Sequence, residues 1–204
     1  MRALVAERRR GAVDDTLVLV EHPPVVTVGV QGDDGAAAAS GLPVVPVERG
    51  GHATYHGPGQ LVGYPIVDLA VRGHDVRRFV REVQQLVVRA LAPVGVTAGT
   101  VPGQPGVWVD GRRKIASVGI AVDHWISFHG FALNVEPDLA AFARFRPCGL
   151  DPGVMTSLAR ELGRPVALPE LRGPVIGAWE ELFGPARGPV DDVPPRAAVR
   201  SASA

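Results

Sequence analysis

The spacing of apolar residues along this chain alternates between two periods. From Asp75 to Ala92, Val76, Phe79, Val80, Val83, Leu86, Val87, Ala90 and Leu91 recur at helical spacing. Arg77, Arg78, Arg81 and Gln85 lie opposite, as a solvated face would. Asp75 stands at an N-cap position, and Pro93 and Gly95 end the pattern. Elsewhere β-branched runs dominate. Thr16 to Val20 and Val25 to Val30, parted by Pro23 and Pro24, predict two short strands, and Pro43 to Val47 and Leu61 to Leu69 two more. Trp108-Val109 and Ile115 to Val122 flank Asp110-Gly111, the signature of a tight hairpin, so Lys114 falls near the start of a return strand. Trp125 to Val135 predicts a seventh strand.

The remaining segments are shorter or less periodic. Arg2 to Arg10 reads as the end of a helix, and Asp138 to Phe145, Thr156 to Leu162 and Glu170 to Phe183 as further helices, the last closed by Gly184. Gly173-Pro174 leaves the start of that last helix open. Gln31 to Leu42 is an aperiodic Gly/Ala/Asp loop. From Pro185 onward the Pro-, Ala- and Arg-rich chain is expected to be a disordered tail. Strands interspersed with a few helices predict one mixed α/β (α+β) domain over residues 1–184, not a regular βαβ array.

Composition narrows the function. Hydrophobic residues at 46% suit a globular domain, and 204 residues can bury a sizeable core. Lys plus Arg and Asp plus Glu balance at 21 each, which gives no electrostatic reason to expect nucleic acid or an anionic membrane as partner. No apolar run reaches the length of about 18 residues that a membrane span needs. A soluble, cytoplasmic protein is expected. With one cysteine there is no internal disulfide, and nothing supports a Cys-based zinc site or any other metal.

That cysteine, Cys148, and the single lysine, Lys114, are candidates for chemistry. In a chain so biased to arginine, a lone lysine suits a site needing a neutral amine, which arginine cannot supply. Each also has a plain alternative: a solvated surface lysine, and a small buried hydrophobe. The stretch Arg49-Gly50-Gly51-His52-Ala53-Thr54-Tyr55-His56-Gly57-Pro58-Gly59-Gln60 is unusual in its glycine and donor content. Glycines let a ligand approach the main chain, and Arg49, Thr54, His56 and Gln60 would surround it with donors. It lacks the GK[ST] ending of a phosphate-binding loop, and a turn-rich hairpin is the competing reading.

Taken together, RGGHATYHGPGQ, LVGYPIVDL, Lys114 in RRKIASVGI, His129 to Asn134 in HGFALN, and Pro147-Cys148-Gly149 followed by VMTSL resemble the lipoyl(octanoyl) transferases from about Thr16 to Phe183. The resemblance implies the mixed α/β fold of biotin and lipoate protein ligases. It implies transfer of octanoyl from acyl carrier protein to a lysine on a lipoyl domain of an oxoacid dehydrogenase or glycine-cleavage protein. It places the acyl-bearing cysteine at Cys148 and its proton-handling partner at Lys114. Substrate-binding segments carry over onto Arg49, Gly50, Gly51, His52, Ala53, Thr54, Tyr55 and His56, onto Ser117, Val118 and Gly119, and onto Gly130, Phe131 and Ala132. Val118, Ile120, Phe131 and Leu133 offer apolar wall for an alkyl chain.

Residue chemistry supports two half-reactions that need neither cofactor nor ATP. Cys148 takes the octanoyl group from the carrier's thioester, and the acceptor lysine then takes it from Cys148 as an amide. A Cys–His pair with His56 or His129 as base is the rival assignment; His22, His74 and His124 fall outside the motifs and read as surface or turn residues. Two departures stand out. The first helix is shorter than is usual in relatives, and Val26-Thr27-Val28-Gly29-Val30 stands where they read Tyr-Thr-x-Gly-Arg. The missing arginine weakens contact with an acidic carrier protein. Alternatives to the transferase are an ATP-dependent lipoate-protein ligase and a non-catalytic module that binds acyl carrier or lipoyl domains. A monomer is expected.

Overall fold

The computed structural model describes residues 1–32, 35, 37–144 and 150–185, and among these nine strands and four helices arise where the hydrophobic pattern changes period. The order is α1 (Arg2–Arg9), β1 (Thr16–Val20), β2 (Val25–Val28), β3 (Val44–Pro46), β4 (Ala53–His56), β5 (Gln60–Ile66), α2 (Val76–Leu91), β6 (Gly99–Val101), β7 (Gln104–Val109), β8 (Arg113–Asp123), β9 (Ile126–Asn134), α3 (Leu158–Leu162) and α4 (Pro169–Phe183). Cys148, and residues 186–204 of the expected tail, lie outside the described residues.

The strands form an antiparallel six-stranded sheet, β1-β5-β9-β8-β7-β6, and a three-stranded sheet, β3-β2-β4, in which β2 and β3 run parallel. α2 forms as its pattern predicts: Asp75 accepts from the Arg78 N–H at 2.8 Å, and Phe79, Val83, Leu86, Val87, Ala90 and Leu91 are buried. That face packs in one core with Ile115, Ala116, Phe131 and Leu133 of the large sheet and with Leu171, Val175, Ala178 and Trp179 of α4. Pro169 opens α4, where its missing N–H costs nothing, and Pro174 is carried inside the helix.

Several elements differ from expectation. The glycine-rich stretch is not a hairpin. β4 pairs with β2 in the small sheet and β5 with β1 and β9 in the large one, so Gly57 to Gly59 carry the chain between sheets. β4 and β6 escape a pattern reading because four and three residues are too short to show a period. Trp125 does not begin a strand. It sits with His124 in the two-residue turn between β8 and β9, both at positive φ (48° and 65°), a geometry that hairpin twist favours over side-chain preference. The helix expected from Asp138 is a 3-10 segment over Leu139–Arg144. Among the described residues, no helix is long and apolar enough to cross a membrane.

Candidate active site

The two sheets and the start of α2 enclose a cavity of about 780 Å³. Its walls come from the glycine loop, from Ser117 to Ile120 of β8, and from His129 to Ala132 of β9. Val76 and Val80 of α2, the β6–β7 turn at Gly103 to Pro105, Lys114 and Leu150 complete one region of it. Of the resemblance-based residues that the structure describes, all but Ala53 and Tyr55 thus gather on one cavity. β4 alternates, so Thr54 and His56 line the cavity while Ala53 and Tyr55 face the other way. Tyr55 packs edge-on to Phe142 at 5.4 Å between ring centres, in a separate cluster with Val26. Cys148 lies outside the described residues, but Leu150, two positions on, is on the cavity wall.

Lys114 is 2% exposed. It stands opposite Trp108 on the neighbouring strand, and its Nζ lies 5.4 Å from the centre of the indole. Among the described residues no carboxylate lies within ion-pair distance of that amine. The backbone beneath it is fixed. Lys114 C=O accepts from Thr156 N–H at 3.0 Å, and the Arg113 guanidinium grips Glu161 through two bonds of 2.9 Å, with Thr156 Oγ1 donating to the same carboxylate at 2.6 Å. Gly106 is required on β7, since at φ 131° a side chain there would run into Lys114 Cε and Ala116 O.

Arg49 is also buried, at 8% exposed. Its Nη1 donates to Gly50 O (3.1 Å) and His52 O (2.8 Å), and its Nη2 to Thr27 O (2.7 Å) and Thr27 Oγ1 (2.9 Å). The side chain therefore ties the glycine loop to β2. Gly29 accepts this contact closely, because a Cβ there would collide with Gly51 O and Arg49. Thr27 and Gly29 both serve the clamp, while Val30 is 70% exposed.

The third group on the cavity is aromatic and titratable. His22 Nε2 and Tyr64 Oη are 2.6 Å apart, and the His22 ring centre lies 5.9 Å from that of His56. Tyr64 meets His129 edge-on at 6.3 Å. Burial pushes the His56 pKa down to about 3, with His22 and Arg49 adding to the effect, and pushes Tyr64 up to about 12. Burial likewise lowers His22 and, against the opposing pull of Glu48, His129. With so low a pKa, His56 is neutral near pH 7. His56 Nδ1 lies 3.2 Å from Gln60 Oε1, whose amide Nε2 donates to Tyr55 O and to Asn134 Oδ1. This chain makes Nδ1 the donor and leaves His56 Nε2 as an acceptor. Asn134 Nδ2 continues to Thr156 O at 2.9 Å, the residue whose N–H holds Lys114.

Sequence reasoning did not find His22 and Tyr64. His22 was expected to be a surface or turn residue; it lies in the β1–β2 connection, which folds it over β5 onto Tyr64. His74 and His124 are exposed, as expected of residues outside the motifs. Among the described residues, no cluster of three His, Cys, Asp or Glu groups could hold a metal ion.

Comparison with known proteins gives a consistent result. Residues 1–180 match the lipoyl protein ligase A/B catalytic domain. The chain is similar to the octanoyltransferase of Geobacter sulfurreducens, 43% identical over 202 residues that cover 98% of this chain and 83% of that protein. It is 49% identical over 180 residues to the octanoyltransferase of Citrifermentans bemidjiense, covering 88% and 87%. Its fold is similar to that of a chain in the structure of a bi-partite lipoate protein ligase and its E2 lipoyl domain from Thermoplasma acidophilum. The TM-score is 0.68 at 17% identity, with 90% of this chain and 79% of that chain covered.

Proposed function

We propose, from the premise that this chain belongs to the lipoyl protein ligase A/B catalytic domain family, that it transfers octanoyl from acyl carrier protein to a lysine of a lipoyl domain. The catalytic domain is residues 1–184, acting as a cytoplasmic monomer without metal or cofactor. Cys148 is the nucleophile and Lys114 the proton carrier. The observation that carries this assignment is that Lys114, buried and without a carboxylate partner among the described residues, shares one cavity with Leu150 beside Cys148.

The steps balance. The Cys148 thiolate attacks the carrier's thioester carbonyl; the new C–S bond forms, the carrier's C–S bond breaks, and the departing thiolate takes a proton from the Lys114 ammonium. The acceptor lysine then arrives as a neutral amine and attacks the octanoyl-Cys148 carbonyl. The C–N bond forms, the bond to Cys148 breaks, and the amine's proton passes to the Lys114 amine, restoring the starting pair. Histidine is the weaker candidate for this role. With its pKa near 3, His56 does not hold a proton against a thiolate at neutral pH, and burial lowers His129 in the same direction. The neutral His56 Nε2 instead accepts a hydrogen bond from a polar hydrogen in the cavity.

The test is intact and peptide mass spectrometry after mixing the protein with octanoyl carrier protein in the absence of ATP. An octanoyl adduct on Cys148 is expected. Acylation that appears only with ATP and free octanoate would replace the transferase by a ligase; no acylation under either condition would leave a binding module.

A further inference from the structure

The transfer reading uses the cavity wall but not the helix that borders it, and α2 is the most lopsided charged element of a neutral chain. It carries Arg77, Arg78, Arg81 and Arg89 against Glu82 alone. Two of those arginines are accounted for: Arg78 pairs with Glu82 at 2.9 Å and Arg89 with Glu181 at 2.8 Å. Arg77 and Arg81 are exposed, and no carboxylate among the described residues pairs with them. Helical spacing puts residues 77, 80, 81 and 84 along one stripe. The inner end of that stripe is fixed, since the buried Gln84 amide donates to Gly106 O at 2.8 Å, and Gly106 packs against the Lys114 side chain. Val80, within the stripe, lines the cavity together with Gly103 to Pro105. Arg77 and Arg81 therefore flank Val80 on the side of the helix that borders the cavity, exposed to solvent.

Resting on the transferase reading, we propose that Arg77 and Arg81 form the docking site for the donor, an acidic carrier protein bearing its acyl thioester on a phosphopantetheine arm. The two substrates differ in the charge they bring to this surface. The donor's arm carries a phosphodiester anion close behind the thioester, on an acidic protein. The acceptor presents a lysine, which brings no anion for the two guanidiniums to hold. Arginine at this place raises encounter with the first and offers nothing to the second.

The test measures the rate of Cys148 octanoylation against the concentration of octanoyl carrier protein, and in parallel with octanoyl-pantetheine, which has neither phosphate nor protein. Arg77→Glu/Arg81→Glu is expected to raise KM for the carrier by about tenfold or more. Its rate with octanoyl-pantetheine and its melting temperature should match the parent. Added salt should raise the parent's carrier KM and leave the variant's flat. Arg77→Lys/Arg81→Lys, which keeps the charge, should retain most of the parent's affinity. A carrier KM within twofold of the parent overturns the docking site, as does a variant impaired only in transfer from pre-acylated enzyme to the acceptor. Failure of the parent to react with either donor would strike at the transferase reading itself.

Discussion

Two cations are buried against the same cavity and are held in opposite ways. Arg49, in the glycine loop, spends its two terminal nitrogens on three backbone carbonyls and a threonine hydroxyl. Lys114, on β8, has its amine near an indole face and within ion-pair distance of no carboxylate among the described residues, while its backbone is pinned by Thr156. Burying a charge is costly unless it is paired and hydrogen-bonded. Arg49 is hydrogen-bonded at both terminal nitrogens through its own contacts and so contributes to the fold. Lys114 has no such set of contacts among the described residues, and its position is sustained by the sheet around it. Burial alone therefore does not mark a residue for chemistry. A buried charge on a rigid support without fixed partners does.

The sharpest break of this contrast is Lys114→Met, which keeps the length of the side chain and removes its charge. Octanoyl transfer in a single turnover should fall by about 10³-fold, the range usual for a lost general acid–base group. The unfolding free energy in urea should stay level or rise, since an unpaired buried ammonium is exchanged for an apolar group. A methionine variant that transfers at the parent's rate would sink the role assigned to Lys114.

Arg49→Met should show the reverse balance. It strands the carbonyls of Thr27, Gly50 and His52 in a buried setting, at a cost of about 3 kcal/mol in the same urea experiment. The glycine loop then loses its tie to β2, and activity falls as a consequence of the loosened wall. If Arg49→Met leaves stability unchanged, the clamp is not what holds the loop.

This contrast shows where sequence reading succeeds and where it stops. α2 was legible to its caps because sixteen residues of helical period, an Asp N-cap and a terminal Gly agree. Lys114 was legible through its singularity and its place after Asp110-Gly111, and the family resemblance ordered the motifs around it. Arg49 was found as a donor and does line the cavity, but the carbonyls it ties, one of them 22 positions away, could not be read from sequence, where a donor looks the same whatever its acceptor. His22 and Tyr64 lie 42 positions apart, in different strands' surroundings, and only the pairing of β1 with β5 brings them together. Ala53 and Tyr55 entered the candidate site with the Arg49 to His56 segment that the family resemblance carries over. The β4 pleat, invisible in a four-residue strand flanked by glycines, separates them from Thr54 and His56.

The histidine cluster sharpens the comparison from a third side, as groups whose charge burial removes. His56 titrates near pH 3 in the folded protein and near 6.5 when exposed in the unfolded chain. Between those values the unfolded chain holds a proton that the folded protein does not. Stability is thus fully present above about pH 6.5 and is lost as the pH falls toward 3, by at most about 1.4 kcal/mol per pH unit for one histidine. His22 and His129, lowered for the same reason, act in the same direction. His56→Gln removes one titrating group while keeping a polar side chain beside Gln60. At pH 7 its stability should lie close to the parent's, because the parent's His56 is neutral in both states there to a good approximation. In urea titrations between about pH 4 and 6 the slope of unfolding free energy against pH should be shallower than the parent's by up to that same amount. An unchanged slope would mean that His56 reaches solvent and protonates in the folded protein. It would then regain standing as the proton carrier, and the separation between a working lysine and silent histidines would collapse.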